Sequence, residues 1–406
     1  MVPLRILFIS PYIPSPIRVR PYNLIKYLAK LGHEITLLAL VPPGEDTTSL
    51  ETLNQWCQSV KTVPLPRWRT LWNATWAVPT GLPLQAAYSR SPEMAELIRE
   101  TQQAANFNVV HIEHLRGSEL SSAVNGTPIV FDSVDSITLL FEHTCASGPN
   151  WRSRLMARLD LARTRRYEAG LLSRYPRVLV TSPKDRDALV SFSTIRDGER
   201  FKVLPNGVDL EYFKPMDVPR DSQTLVFTGK MSYHANIAAA LDVAQHVMPL
   251  VWQQFPEAHF VIAGKDPSSK IQALTADHRI IVTGTVPDLR PYLATATIAV
   301  SPMRYGVGIQ NKILEAMAMK TPVITTSKAL SSLQANVGEE ILVADTPQAV
   351  AEKVIGLFKD QTLARCLGEA GWQYVERYHD WSVTARNLEE VYRAVIQPVR
   401  NGHLRS

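Results

Sequence analysis

Apolar and polar positions alternate between two periods from the start of the chain. Leu4–Ser10 is a continuous apolar run, as expected of a strand buried on both faces. A proline-rich turn follows from Pro11 to Pro16, and then Leu24, Tyr27, Leu28 and Leu31 recur at helical spacing. Gly32 stands where a helix C-terminal glycine belongs, and Glu34–Leu40 reads as a second buried strand. Asn108–Ile112, Pro128–Phe131 and Arg177–Thr181 are further strand candidates with helical stretches between them. Short apolar runs separated by helices predict a parallel, doubly wound sheet.

The pattern breaks at Phe201–Pro219, where the run KVLP leads into Asn206-Gly207 and a segment spaced by Pro215 and Pro219; it reads as an interdomain linker. Alternation then restarts. Thr224–Thr228, His259–Ala263, Ile280–Thr283, Thr297–Ser301, Pro322–Thr325 and Ile341–Val343 are the strand candidates. Ala235–Gln254, Ile309–Met319 and Thr346–Lys359 are helices. The expected architecture is α/β, two Rossmann-like doubly wound domains, over 1–205 and 206–379. A last helix, about Trp381–Val395, fits either lobe by pattern; we assign residues 380–398 to the first.

Composition narrows the class. With 406 residues, 45% of them apolar, the chain is long enough for two cores. Ile35–Val41, among its longest apolar runs, is far short of the roughly 20 residues of a membrane span. The N-terminus lacks the layout of a secretory signal, and three widely spaced cysteines (Cys57, Cys145, Cys366) offer neither a disulfide framework nor a zinc site. These features predict a cytoplasmic protein. The net charge of +5 divides into +6 over 1–205, −2 over 206–379 and +1 beyond. That asymmetry is too small to imply nucleic acid binding.

The chemistry concentrates in Ser301–Thr325, SPMRYGVGIQNKILEAMAMKTPVIT. A strand ends at Ser301-Pro302, a loop with Gly306 and Gly308 follows, and a helix opens at Ile309-Gln310. Glycines ahead of a helix start expose amides and the positive end of the dipole to a diphosphate. Lys312 adds positive charge there. Glu315, one turn on, can accept the hydroxyls of a ribose. Glycines that only make the turn are an equal reading of this spacing.

The run KILEAMAMKTPVI resembles the signature of the retaining glycosyltransferases of family 4, which have the GT-B fold. Glu315 matches the second of that family's two glutamates, and Val307 stands in place of the first, which the family associates with the transferred sugar. Gly308 to Lys312 reproduces the Gly-Ile-Gln-Asn-Lys run of a branch associated with exosortase/PEP-CTERM exopolysaccharide systems.

Other segments fit the resemblance. Asn206-Gly207-Val208-Asp209 resembles the family's approach to the donor lobe, and otherwise is a plain Asn-Gly turn. Gly229 and Lys230 end the strand Thr224–Thr228 where the family has a glycine and a basic residue facing the donor diphosphate; a second lysine expected near Ala235-Asn236 is missing. Val286, in Thr283–Asp288, corresponds to a loop that packs on the base, and Arg304 can add charge beside the phosphates. In the first lobe, arginines replace the family's Gly-Gly loop, so Arg18 or Arg20 is a candidate phosphate ligand; Arg20 equally starts a helix. Asp132 and Asp135 follow a strand near where relatives carry a histidine, and can position an acceptor hydroxyl or stabilise an oxocarbenium-like charge. A helix cap is the alternative for Asp135. His111 and His114 have no metal-ligand spacing, and no Asp-x-Asp clamp is present, so no metal is expected.

Trp68, Trp72 and Trp76 recur every four residues beside Arg67 and Arg69, and Trp151 to Arg177 holds eight arginines interleaved with Leu155, Leu159 and Leu171. Such stretches are either peripheral contacts with an anionic membrane or, respectively, core and a solvated face. The resemblance implies transfer from a nucleotide-diphosphate sugar, UDP-sugar favoured over GDP-sugar, to a saccharide or lipid-linked saccharide hydroxyl, with Lys230, Glu315 and Asp135 as the catalytic candidates and no cofactor beyond the donor. Gly229, Val286, Arg304, Gly308, Ile309, Gln310, Lys312 and Arg18 complete the expected binding set. The rivals are a nucleotide-sugar epimerase, a non-catalytic nucleotide-binding partner in polysaccharide assembly and, more weakly, a dinucleotide oxidoreductase, since no G-x-G-x-x-G follows either first strand.

Overall fold

The computed structural model describes residues 2–147, 151–303 and 310–402. The chain divides into two compact units, residues 1–205 with 384–406, and residues 206–383.

In the first unit, seven parallel strands form one sheet: β1 (Arg5–Ser10), β2 (Glu34–Val41), β3 (Ser59–Pro64), β4 (Val109–Glu113), β5 (Ile129–Val134), β6 (Arg177–Val180) and β7 (Phe201–Val203). Their order is β3-β2-β1-β4-β5-β6-β7. The central strands are buried because runs such as ILFI and ITLLAL have apolar side chains on both faces, which only helices on both sides can cover. The order reverses between β1 and β4, and in open sheets of this kind the crevice beyond the strand C-termini at such a reversal holds ligands.

The second unit repeats the plan with β8 (Thr224–Thr228), β9 (His259–Ala263), β10 (Ile280–Gly284), β11 (Ile298–Ser301), β12 (Val323–Thr325) and β13 (Leu342–Val343), in the order β10-β9-β8-β11-β12-β13. All pairings are parallel. This is the two-sheet α/β architecture expected from the alternation of apolar runs.

Three local differences from the sequence pattern have physical reasons. The edge strand β3, SVKTVP, is half-exposed along its length and so lacks an apolar run. The first residues of the stretch 201–219 are not connector: Phe201–Val203 pairs in parallel with β6. The helical stretch 235–254 is His234–Asp242 and Met248–Trp252 joined by one π turn, with Pro249 near its end.

The chain segments beside the unit boundary are tightly joined within the second unit. Val208 N–H donates to His379 O at 2.6 Å, and the His379 ring lies 2.8 Å from Asn206 O. Gly207 lies against fully buried Trp381; a Cβ there would meet His379 O and Trp381 N, both at 2.8 Å. The Asn-Gly-Val-Asp motif therefore has a packing reason for its glycine. The helix Trp381–Gly402 runs on into the first unit, where the Tyr392 hydroxyl bonds the buried His111 ring at 2.8 Å. Gly207→Ala is expected to lower unfolding free energy by about 2 kcal/mol or more, because both clashing atoms are backbone. Chemical denaturation measures it, and a loss under about 0.5 kcal/mol would show that the segment adjusts freely.

Candidate active site

The second unit assembles its charged cluster where β8 and β9 end. Thr228 pairs with Ala263, and the next residue on each strand is a glycine at positive φ, Gly229 at 147° and Gly264 at 150°. A Cβ on Gly264 would stand 1.8 Å from Gly229 O, and one on Gly229 would stand 2.8 Å from Asn236 Nδ2 and 3.3 Å from Lys312 Nζ. Side chains are thus excluded by approach as well as by backbone conformation.

Lys312 reaches this point from the first turn of the helix Asn311–Ala318. Its ammonium donates to Asn236 Oδ1 at 2.6 Å and lies 4.5 Å from the centre of the buried Phe227 ring. Asn236 Nδ2 donates in turn to Lys230 O at 2.9 Å, so one amide fixes both the ammonium and the turn after β8. Burial pushes the Lys312 amine down to about 8, with Glu315 opposing the shift. It also pushes the Glu315 carboxyl up to about 7, with Lys312 pulling it back. Among the described residues Glu315 has no hydrogen-bond partner, no side chain caps the helix at Gln310, and Asn311 Oδ1 is buried without a partner. The helix start therefore presents an ammonium and a carboxylate three residues apart, on a frame fixed by packing.

Of the sequence candidates in this unit, Gly229, Gln310, Lys312 and Glu315 lie on the elements meeting at this cluster. Lys230 does not join them. Its side chain is exposed and pairs with Asp266 at 3.7 Å. Val286 is half-buried in the loop after β10. Nearby Asp288 is held by both Arg290 and Tyr212, which keep its carboxyl down at about 2, the Arg290 bonds contributing most. Arg304, Gly308 and Ile309, with Val307, lie outside the described residues. Asn236 carries no signal in the sequence, where its position reads as an absent lysine.

The first unit holds a second polar cluster, at the sheet reversal. Arg20 is 4% exposed, bonds Asp132 through Nε at 2.8 Å and donates to Leu204 O at 2.8 Å. Arg20 stands in the first turn of the helix Val19–Lys30, as the second of its two readings has it, with its side chain turned to Asp132. Arg18 is exposed, with its guanidinium 4.5 Å over the Tyr12 ring and 3.8 Å from Glu45. His111 Nε2 lies 3.5 Å from Glu113 Oε2 and 3.9 Å from Asp132 Oδ2. Their ligand atoms fall within 4.8 Å of one another, yet Arg20 already occupies Asp132 at 2.7 Å. Desolvation, reinforced by Asp132, raises the Glu113 carboxyl, and it accepts from Tyr12 at 3.3 Å. Asp135 accepts from Thr181 Oγ1 at 2.9 Å, and burial with neighbouring Asp185 pushes its carboxyl up to about 6. His114 and Val134, at the ends of adjacent β4 and β5, have φ of 62° and 67°, strained for a β-branched valine.

Two family profiles match the chain: residues 18–212 match Glycosyltransferase Family 4, and residues 222–360 match Glycosyl transferases group 1. A Bacillus subtilis (strain 168) protein named for teichuronic acid biosynthesis, the glycosyltransferase TuaC, is 28% identical over 207 residues, 48% of this chain and 50% of that protein. The GDP-mannose:cellobiosyl-diphosphopolyprenol alpha-mannosyltransferase of Xanthomonas oryzae pv. oryzae is 25% identical over 236 residues, 54% of this chain and 59% of that enzyme. The chain thus spans about half the length of the relatives it matches. Among solved structures, Anabaena HepE in complex with UDP and glucose superposes with a TM-score of 0.65 over 96% of this chain and 100% of its own, at 13% identity.

The cluster at Lys312 makes a stability prediction. Asn236→Ala leaves a half-buried ammonium without its acceptor and is expected to cost about 1–3 kcal/mol in denaturant unfolding. Lys230→Ala, at an exposed ion pair, is expected to change stability by less than about 0.5 kcal/mol. Equal effects from the two would contradict the assignment of Asn236 as the anchor. By both profiles and by architecture, the chain carries a Glycosyltransferase Family 4 domain followed by a group 1 glycosyltransferase domain, on the two-sheet fold of the GT-B glycosyltransferases.

Proposed function

We propose that the chain is a retaining, metal-independent glycosyltransferase that moves a sugar from a nucleotide-diphosphate sugar to a hydroxyl of a saccharide or lipid-linked saccharide in polysaccharide synthesis. The observation that carries this reading is the Lys312 ammonium, fixed by Asn236 beside Gly229, with the Glu315 carboxyl one turn along inside the group 1 domain. When the bond from the anomeric carbon to the diphosphate oxygen breaks, negative charge builds on the diphosphate. Lys312 opposes that charge from a fixed position, and exposed Lys230 can swing from Asp266 to join it. Glu315 in its charged form accepts the two ribose hydroxyls. A phosphate oxygen of the leaving group takes the acceptor's proton, so no protein base is required. In the first unit Asp135, half-buried and raised towards neutrality, orients the acceptor hydroxyl.

A UDP-sugar donor is favoured by the HepE complex, whereas the Xanthomonas relative is named for GDP-mannose. The diphosphopolyprenol in that relative's name supports a lipid-linked acceptor. The Gly308–Lys312 run supports membership of the exosortase/PEP-CTERM exopolysaccharide branch. Three free cysteines fit a cytoplasmic setting.

A thermal-shift panel of UDP, GDP and ADP is expected to show one strong stabiliser, UDP, with the shift abolished in Glu315→Ala. A shift that survives unchanged in the variant would reject the ribose role. Lys230→Ala is expected to reduce transfer at least tenfold. Activity within a few-fold of wild type would remove Lys230 from the mechanism, and donor turnover with no sugar transferred would favour the epimerase. The pH dependence follows from the two shifted groups. Glu315 is charged above about 7 and Lys312 below about 8. Hence kcat/KM is expected to be bell-shaped, falling as protons load Glu315 on the acid side and leave Lys312 on the alkaline side. Glu315→Gln is expected to erase the acid limb; an acid limb unchanged in that variant would assign it to another group.

A further inference from the structure

Two helices of the first unit carry apolar side chains to the outside that no part of the described chain covers. On the helix Arg67–Thr80, Asn73 and Ala77 face inward, Asn73 Nδ2 bonding Tyr88 O at 3.2 Å and Arg90 O at 2.8 Å. The opposite side presents Trp68, Trp72 and Trp76, 60%, 58% and 56% exposed, with Leu71 beside them. The tryptophan stripe is therefore surface and not core. On the helix Trp151–Ala169, Ala157, Asp160, Thr164, Tyr167 and Glu168 face inward, while Trp151, Leu155 and Leu159 project outward. The helices adjoin: Arg163 Nη2 donates to Val78 O at 3.2 Å, and Asp160 accepts from Leu84 N just past the first helix.

The charges around these apolar groups are predominantly basic, the acidic exceptions being Glu93, 2.7 Å from Arg69, and Glu142, 3.7 Å from Arg165, both on neighbouring elements. Arg67, Arg152, Arg158 and Arg166 are exposed, and Arg69 lies along the Trp68 ring at 4.5 Å. The only acidic residues in the two helices, Asp160 and Glu168, are 2% and 0% exposed. Glu168 is spent accepting from the amides of Ile137 and Thr138 and the hydroxyl of Ser136. The two helices themselves thus turn indoles and arginines outward and no carboxylate, and their exposed arginines outnumber the two neighbouring glutamates.

We infer that this face docks on an anionic lipid bilayer, with the indoles at headgroup depth and the arginines against lipid phosphates. Indole suits the boundary between water and acyl chains, and basic side chains gain from the negative surface potential of anionic lipid. A second copy is a poor occupant, since an isologous contact would set arginine against arginine. No helix of the described residues is long and apolar enough to cross a membrane, so the contact is peripheral. The inference concerns where the protein works and is independent of the reaction proposed above.

The test is sedimentation of the full chain with vesicles of phosphatidylcholine alone and of phosphatidylcholine with 30% phosphatidylglycerol. Binding is expected to the anionic vesicles only, with a blue shift of tryptophan emission, and to weaken steeply with salt. Charge reversal at three exposed sites, R152E/R158E/R166E, is expected to weaken binding roughly a hundredfold. W72A/W76A is expected to weaken it about tenfold while leaving the salt dependence unchanged. Both variants alter exposed positions, and circular dichroism checks their fold. Equal binding to neutral and anionic vesicles, or wild-type binding by a folded triple variant, would overturn the inference. So would a solution dimer, seen by ultracentrifugation, that W72A/W76A dissolves.

Discussion

A positive charge held half out of water at the end of a parallel sheet is the constraint around which the second unit is built. Taking the Lys312 ammonium off bulk solvent costs free energy, visible in its lowered proton affinity. Asn236 and the face of Phe227 recover part of that cost with a short hydrogen bond and a ring contact. Neither neutralises the charge. Glu315, the nearest carboxyl to do so, is itself raised towards the protonated form. Among the described residues the ammonium is therefore left without a full counter-charge. The glycines belong to the same logic, since Gly229 and Gly264 let two strand ends and an ammonium share space that a Cβ would fill.

The first unit answers the problem of buried charge differently. Arg20 and Asp132 neutralise one another directly, at 2.7 Å, and the surplus carboxyl of Glu113 relaxes by binding its proton more tightly. His111 and Tyr392 extend this network to the last helix, so the C-terminal segment is locked to the sheet by polar contacts as well as packing. Asp135, beside the left-handed turn at Val134, and Arg18, against Tyr12, lie nearer the surface. Strain at His114 and Val134 is concentrated where β4 and β5 end, at the positions from which such sheets meet ligands.

Sequence periodicity revealed most of this architecture because the buried strands are apolar on both faces. His259–Ala263 and Thr224–Thr228 coincide with β9 and β8 residue for residue. Ser59–Pro64 escaped because an edge strand open to water needs no such run, and Phe201–Val203 because three residues are too short for a period. The site divides along the same line. Lys312 and Glu315 are legible because helical spacing brings them together locally. Asn236 is not, since it meets Lys312 across 76 residues of chain and acts through a fold the sequence does not spell out. Arg20 is a sharper case: its partner lies 112 residues away, and nothing local separates a buried ion-pair arginine from one reaching for phosphate.

The same distinction alters what the net charge means. Residues 1–205 carry a formal +6, a modest excess when spread over a whole domain. Folding does not spread it evenly. Glu113, Asp132, Asp160 and Glu168 are withdrawn into the interior, and burial pushes Glu168 up to about 7, so part of the negative count is removed from the surface altogether. Of the arginines in the first unit's long helix, five of six remain exposed. Among the described residues of the first unit, only Arg20 offsets this loss from the cationic side by being buried in its turn. The field outside the tryptophan face is consequently stronger than the formula charge implies, and it is local, because salt at physiological strength screens it within about 8 Å. A patch of that range cannot steer distant partners, but it acts fully on a surface in contact with it. Contact with lipid phosphates is the case in which indole and arginine gain together.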